Sequence, residues 1–244
     1  YFMGIENFSG AKWVAESWSL AIEEQFYLIV PFIFILSGAK KSLKILLLGL
    51  ILAPFLRYYF NTEFGFYAGY MFFPGRMDTI FWGVLLAFVF RSVKWRELLI
   101  KYSFFLFLVL ILILSILIID SLGLVSGFRL VKGRGLYFTL ISLSYFILIW
   151  AVLENRLPLL NKFLRYKFLV FTGMVSYSIY MFHQLINGLM FGFILNSKPT
   201  LNGDLQNILI SFTSIIIVYA LGLILYKFLE QPIRKFGHKF NYKI

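Results

Sequence analysis

The 244-residue sequence contains no cysteine and two histidines, His183 and His238. Without cysteine there is no disulfide, no thiolate nucleophile and no sulfur ligand for a metal. Charge is scarce as well: Asp, Glu, Lys and Arg together make up 14% of the chain, against about a quarter in a soluble domain. Several chemical signatures are missing. There is no G-x-x-x-x-G-K-[ST] phosphate loop, no H-E-x-x-H and no G-x-S-x-G elbow, which argues against an ATPase, a zincin and a serine hydrolase. No stretch alternates strictly with period two, so a membrane β-barrel is not expected. No internal repeat or low-complexity linker interrupts the chain.

What is abundant is apolar surface. Hydrophobic residues make up 61% and aromatics 20%, and they fall in long runs. A helix needs about 20 apolar residues to cross a bilayer. Seven runs qualify, near 19–36, 43–60, 75–90, 102–122, 136–153, 168–194 and 208–229. The expected fold is therefore all-α: a polytopic transmembrane helix bundle with about seven spans, read as one domain over residues 1–244. The third run is short and opens on Arg76 and Asp78. The sixth is longer than a bilayer requires and should tilt. The chain begins with Tyr1, no cleavable signal precedes the first span, and it reads as part of something longer.

The net charge of +12 would suggest nucleic acid in a soluble protein. Here the basic residues sit between apolar runs, so the bilayer and its headgroups are the expected partner, not nucleic acid. Alternate connections divide them unevenly. Lys40, Lys41, Lys44, Arg91, Lys94, Arg96, Lys101, Arg156, Lys162, Arg165, Lys167, Lys227, Arg234, Lys235, Lys239 and Lys243 fall on one side, sixteen of the 23. Lys12, Arg57, Arg76, Arg129, Lys132, Arg134 and Lys198 fall on the other. The richer side is expected to be cytoplasmic, with Ile244 inside and odd-numbered spans running inward. The ends carrying Glu23, Glu24, Arg76 and Asp78 then lie at the outer edge. His183 lies about 22 Å along an outward-running helix, in the outer half.

An ionisable residue in a membrane helix is costly to desolvate and needs a partner or a function. Adjacent helical residues point about 100° apart, so only one of Glu23 and Glu24 can face inward. Ser19, Glu23 and Tyr27 share a face, which favours Glu23; both carboxylates could equally serve the helix dipole. Pro31 is expected to bend this helix. Arg76 and Asp78 are two apart and do not face each other. Arg76 is available to a carboxylate on another helix, with Glu23 at the right depth, or it snorkels to the interface. Asp78 is too short to snorkel. Gly173, Ser176, Tyr180, His183 and Asn187 recur every three or four residues. That polar stripe reads as a cavity lining that includes a titratable His, or as hydrogen-bonding glue between helices. No metal site is expected, because His238 lies on the opposite side. The last helix should stop before Pro232. Glu230 and Arg234 beyond it could pair, and the basic inner flank could attract an anionic ligand such as the phosphates of a nucleotide-bearing donor.

Four blocks stand in order: WSLAIEEQFYLIVP at 18–31, RMDTIFWGVLLA at 76–87, GMVSYSIYMFH at 173–183 and YKFLEQPIRK at 226–235. Together they resemble the pattern of the integral-membrane O-acyltransferases of acyltransferase family 3, over nearly the whole chain. The resemblance implies a multi-pass enzyme of the bacterial inner membrane. It would move an acyl group, commonly acetyl, from cytoplasmic acyl-CoA to a hydroxyl of a cell-surface glycan or lipid-linked sugar, with acyl-CoA a donor substrate and no bound cofactor. It also implies about ten spans, of which these are the last seven. The Arg and essential His expected on the family's first helix have no counterpart before Trp18. By the family's pattern Glu23, Arg76 and His183 are the catalytic candidates. Ser19, Tyr27, Asp78, Ser176, Tyr180, Glu230 and Arg234 are the candidates for binding substrate. The rival readings are a transporter or flippase of a lipid-linked glycan and an inactive structural membrane subunit.

Overall fold

A computed structural model of the chain describes residues 17–122, 135–195 and 204–237. Among the described residues all regular structure is helical. The elements are α1 (Ser17–Phe64), α2 (Phe66–Met71), a 3₁₀ turn (Phe73–Gly75), α3 (Met77–Arg91), α4 (Val93–Lys101), α5 (Ser103–Ser121), α6 (Leu136–Leu153), α7 (Pro158–Leu164), α8 (Lys167–Leu195), α9 (Leu205–Leu225), a π turn (Tyr226–Glu230) and α10 (Gln231–Gly237). Five segments are long and apolar enough to cross a membrane: Trp18–Phe64, Ser103–Ser121, Leu136–Leu153, Lys167–Leu195 and Leu205–Gly237. The protein is an all-α, polytopic membrane protein, as its apolar runs predict.

The first of these segments is two spans. Gly38 has φ 69° and ψ 162°, the one non-helical residue inside α1. In a straight helix residues nine apart are separated by about 13.5 Å. Here the Ser42 hydroxyl lies 3.2 Å from the Ile33 carbonyl and 3.0 Å from the Ser37 hydroxyl, so the chain folds back at Gly38. A positive φ costs most residues steric strain that glycine escapes. The break therefore falls at Gly38, while Pro31 and Pro54 lie inside the helical arms. The expected third span is the 15-residue α3, shorter than a bilayer requires.

The described residues divide into two compact units, one within 18–161 and one that holds 162–195 and 204–237. In the first, α1 packs on the 3₁₀ turn and α3 through Ile22, Val30, Leu46, Leu50, Phe73 and Phe81. A second cluster joins α3, α5 and α6 through Leu86, Leu110, Phe146, Ile147, Trp150 and Ala151. The rings of Trp82 and Phe146 lie 5.1 Å apart between α3 and α6. Outward from these clusters the surface stays apolar: α5 has a mean hydropathy of 2.9, yet Phe104, Ile111 and Leu112 are exposed. Such a face is stable in lipid and costly in water. Past α3, the short α4 carries Lys94, Arg96 and Lys101 beside exposed Trp95 and Leu98. Arg96 holds Glu154 at the end of α6 with two hydrogen bonds of 2.5 and 3.0 Å.

In the second unit α8 and α9 pack side by side. Gly222 makes the close approach possible: a Cβ there would come within 3.1 Å of Ile179. Tyr219 donates a hydrogen bond of 3.1 Å to Thr172 across the pair. The helix does not stop before Pro232. It continues through the π turn into α10, where Gln231 N–H bonds to the Tyr226 carbonyl. That longer bond places Pro232 in the first turn of α10, where its missing N–H has no bond to lose.

Gly38→Ala is expected to lower stability in detergent by about 1 kcal/mol, because alanine must adopt the positive φ while its Cβ meets no neighbouring atom. Denaturant unfolding measures this. An unchanged midpoint would mean that the turn relaxes to a helical φ.

Candidate active site

The polar centre of the first unit is Arg57, on the second arm of α1. It is fully buried, as is Asp78 on the first turn of α3. Its guanidinium donates from Nε to the Gly75 carbonyl at 2.6 Å. It also donates to the Gly135 carbonyl, to one oxygen of Asp78, and at 3.3 Å to Thr139. Thr139 in turn donates to the other oxygen of Asp78. Four segments are thereby joined: α1, the 3₁₀ turn, α3 and the start of α6. Gly135, just before α6, has φ 90°, and a Cβ there would sit 2.8 Å from the Pro54 carbonyl; only glycine lets this backbone approach α1 so closely.

This arrangement differs from the sequence-based expectation. Asp78, expected to bind substrate, has both its oxygens taken up by Arg57 and Thr139. Arg57, which the sequence reading counts only among the outer basic charges, is the partner it lacked. The signal that identifies Arg57 is its position inside the apolar run 43–60, where an Arg is expensive unless partnered.

Because Asp78 is engaged, Arg76 has no carboxylate partner among the described residues. It sits at the N-cap of α3, with its guanidinium 4.3 Å from the Phe138 ring centroid and 5.2 Å from that of Tyr70. Both contacts are cation–π in character. Its Nη1 is buried and makes no hydrogen bond among the described residues. The expected pairing with Glu23 does not form. The face of the first α1 arm that packs is Trp18, Ile22, Phe26 and Val30, while Glu23 and Glu24 are both exposed and Tyr27 is 61% exposed. Ser19 is half-buried beside them. The face carrying Glu23 and Tyr27 is thus turned off the core of this unit, because bulky apolar side chains one residue earlier fill it.

Between α3 and α6 lies a cavity of about 340 Å³, lined by Arg76, Thr79, Trp82, Ser142, Tyr145 and Ile149 among others. Thr79 and Ser142 donate their hydroxyl protons within their own helices, to the Arg76 and Phe138 carbonyls. Trp82 Nε1 is buried and, like Arg76 Nη1, makes no hydrogen bond among the described residues. The residues that line the cavity thus include one cation, Arg76, and one indole, Trp82.

In the second unit, α8 meets α9 with Thr172, Val175, Ser178 and Ile179. The stripe of Gly173, Ser176, Tyr180, His183 and Asn187 lies about 100° around the helix from that face, and Ser176 and Tyr180 are exposed. So it does not glue α8 to α9. His183 Nδ1 lies 2.6 Å from the Tyr180 carbonyl oxygen. A carbonyl only accepts, so Nδ1 is the donor in that bond. Glu230 does not pair with Arg234. The π turn brings Glu230 against α8, where buried Ser178 donates to it. Arg234 instead donates to the Tyr226 hydroxyl at 3.3 Å. His238 lies outside the described residues. Among them, no group of three His, Cys, Asp or Glu could hold a metal.

Comparison with known proteins adds the family. The profile of a family described as "Acyltransferase domain" matches residues 3–227. O-acetyltransferase OatA of Staphylococcus aureus is 28% identical over 244 aligned residues, covering 91% of this chain and 36% of the relative. A putative O-acetyltransferase of Staphylococcus aureus strain COL is 27% identical with the same coverage of each chain. The chain thus spans about a third of the length of the curated relatives it matches. No solved structure matches it.

Breaking a buried ion pair from one side costs about 3–5 kcal/mol, whereas replacing both partners with apolar groups is often nearly neutral. Arg57→Met and Asp78→Leu are each expected to destabilise the protein on that scale, and the double variant to recover most of the loss. Unfolding of all three in the same detergent measures it. Additive losses would show that the pair is not the coupled unit described here.

Proposed function

Since this chain belongs to the acyltransferase family 3 of integral-membrane proteins, we propose that it is the helical part of an O-acyltransferase of the bacterial inner membrane. It moves an acyl group, most simply acetyl, from cytoplasmic acyl-CoA to a hydroxyl of a cell-surface glycan or lipid-linked sugar. The relatives named as O-acetyltransferases support this reading. The observation that carries it is the family match over residues 3–227, together with Arg76 in the lining of the α3–α6 cavity. Transfer of the acyl group from the thioester of acyl-CoA to a hydroxyl forms a C–O bond, releases the CoA thiol and builds negative charge on the acyl carbonyl oxygen, which preorganised donors stabilise. Arg76, held against Phe138 and Tyr70 beside the cavity, is the candidate for that role.

The remaining candidates take supporting roles. His183, anchored by the bond from Nδ1 to the Tyr180 carbonyl, orients a hydroxyl of the acceptor; it is not assigned as the principal base. Ser176 and Tyr180 extend the same polar face. Glu23, Ser19 and Tyr27 form a second one, on the first arm of α1. Asp78 acts through Arg57, as a positioning residue. Arg234 and the basic residues around it attract the phosphates of the donor, which requires the end of α10 to face the cytoplasm.

His183→Asn in the full-length protein should retain measurable transfer from acetyl-CoA, while His183→Leu loses more, because asparagine keeps a hydrogen-bonding group but takes no proton at neutral pH. Equal inactivity of two well-folded variants would make His183 the proton-transfer residue, a role worth about 10²–10⁴-fold. Full activity in both would reduce it to a packing residue. If the wild-type protein moves a glycan across the membrane without acylating it, the transporter reading replaces this one.

The uneven division of Lys and Arg predicts a cytoplasmic C-terminus. A reporter fused after Ile244 should be active only on the cytoplasmic side. Activity confined to the outer side would reverse the orientation and separate Arg234 from the donor.

A further inference from the structure

Arg76 stands in a corner formed by two rings. Its guanidinium carbon lies 4.3 Å from the centroid of Phe138, on the first turn of α6, and 5.2 Å from that of Tyr70, on α2. Both distances are inside the roughly 6 Å at which a ring face attracts a cation. The two rings also meet each other, with centroids 5.3 Å apart and planes inclined by 49°. Each ring is fixed from behind. Tyr70 packs on Trp18 at 4.6 Å and stacks on Phe66 at 5.4 Å. Gly69, next to Tyr70, is buried so close to α1 that a Cβ there would come within 2.7 Å of the Arg57 carbonyl. Phe138 stands beside Thr139 and three residues after Gly135, and Arg57 donates hydrogen bonds to both. The backbone around Arg57 therefore places both walls of the corner. The Phe138 ring also serves two cations, since the Arg57 guanidinium lies 5.3 Å from the same centroid. Arg57 has the carboxylate of Asp78, whereas Arg76 makes no ion pair among the described residues.

We propose that Phe138 and Tyr70 are positioning residues for Arg76: their ring faces hold its guanidinium as a cation beside the α3–α6 cavity, in the place where a carboxylate would otherwise be required. The kind of partner matters for the chemistry. A carboxylate would accept two of the five N–H donors of the guanidinium and cancel its charge. A ring face attracts the same charge through its quadrupole and consumes no N–H group. A leucine in either position would fill much of the same space without that attraction. The residue that matters most is Phe138, which is nearer to Arg76 and is shared with Arg57. The inference deepens the acyl-transfer reading and rests on it for the step that Arg76 serves, the charge that builds on the acyl carbonyl oxygen. The hold on Arg76 is itself measured without turnover.

The test has two measurements on purified full-length protein in neutral detergent. The first is a double-variant cycle read by denaturant unfolding, with Phe138→Leu and Arg76→Gln made singly and together. Their unfolding constants should be coupled by about five- to thirty-fold, the range of a cation–π contact shielded from water. Tyr70→Leu should couple to Arg76→Gln in the same sense and more weakly. The second is transfer from acetyl-CoA, expressed per folded molecule. Phe138→Leu should lower kcat about ten- to a hundred-fold while KM for acetyl-CoA stays within about two-fold, because a displaced charge-stabilising group is felt in the transition state. Phe138→Tyr keeps the ring face and should recover most of that loss. Independent unfolding effects of Phe138→Leu and Arg76→Gln sink the proposal. So does a Phe138→Leu protein with the kcat of wild type, or an equal loss of kcat in folded Phe138→Leu and Phe138→Tyr. A coupled cycle in a wild-type protein that transfers no acyl group would leave the aromatic hold standing and remove the acyl-transfer reading instead.

Discussion

A guanidinium in an apolar helix is tolerated only if its donors and its charge are answered from within the protein. Arg57 meets that requirement with a carboxylate, two backbone carbonyls and a threonine hydroxyl drawn from three other segments. The geometry of the first unit depends on it. The 3₁₀ turn must present the Gly75 carbonyl, α3 must begin so that Asp78 points back at α1, and α6 must start where Gly135 touches the α1 backbone. None of these positions is set by apolar packing, which is non-directional. The aliphatic clusters below supply contact area, and the ion pair supplies the register in which they meet.

The same pair sets the electrostatics of the cavity. Asp78 and Arg76 stand two residues apart, and without Arg57 the carboxylate would be the obvious partner of Arg76. With both its oxygens engaged, Asp78 leaves the second guanidinium against aromatic faces. Those faces stabilise the cation without using its N–H groups. A structural ion pair thus leaves a neighbouring cation packed on aromatic rings beside the α3–α6 cavity.

The second unit reaches its arrangement by a local backbone device. A π turn inserts an extra residue before α10, which moves Glu230 onto α8 and Ser178, and places Pro232 where it does no harm. Turns of this type recur at functional sites. Here its effect is to satisfy one polar side of α8 with Glu230, while the other carries Ser176, Tyr180 and His183, whose Nδ1 donates to the Tyr180 carbonyl.

Composition and apolar run length were enough to read an all-α membrane protein and to place its spans within a few residues, since a bilayer demands about 20 apolar helical residues per crossing whatever their neighbours. The four sequence blocks likewise pointed to the acyltransferase family that the profile match assigns. The sequence by itself also singled out Arg76, Asp78 and His183, because ionisable groups stand out in an apolar background. It could not decide their partners. Asp78 proved to belong to Arg57, Arg76 to two rings and a cavity, and Glu230 to Ser178, and Glu23 turned away from the core of its unit. Periodicity states which residues share a face; it does not say which face meets another helix. That choice depends on where Gly38 folds the chain back, how closely Gly135 lets α6 approach, and how one π turn rotates α10 and its flank, and only the tertiary structure brings those together.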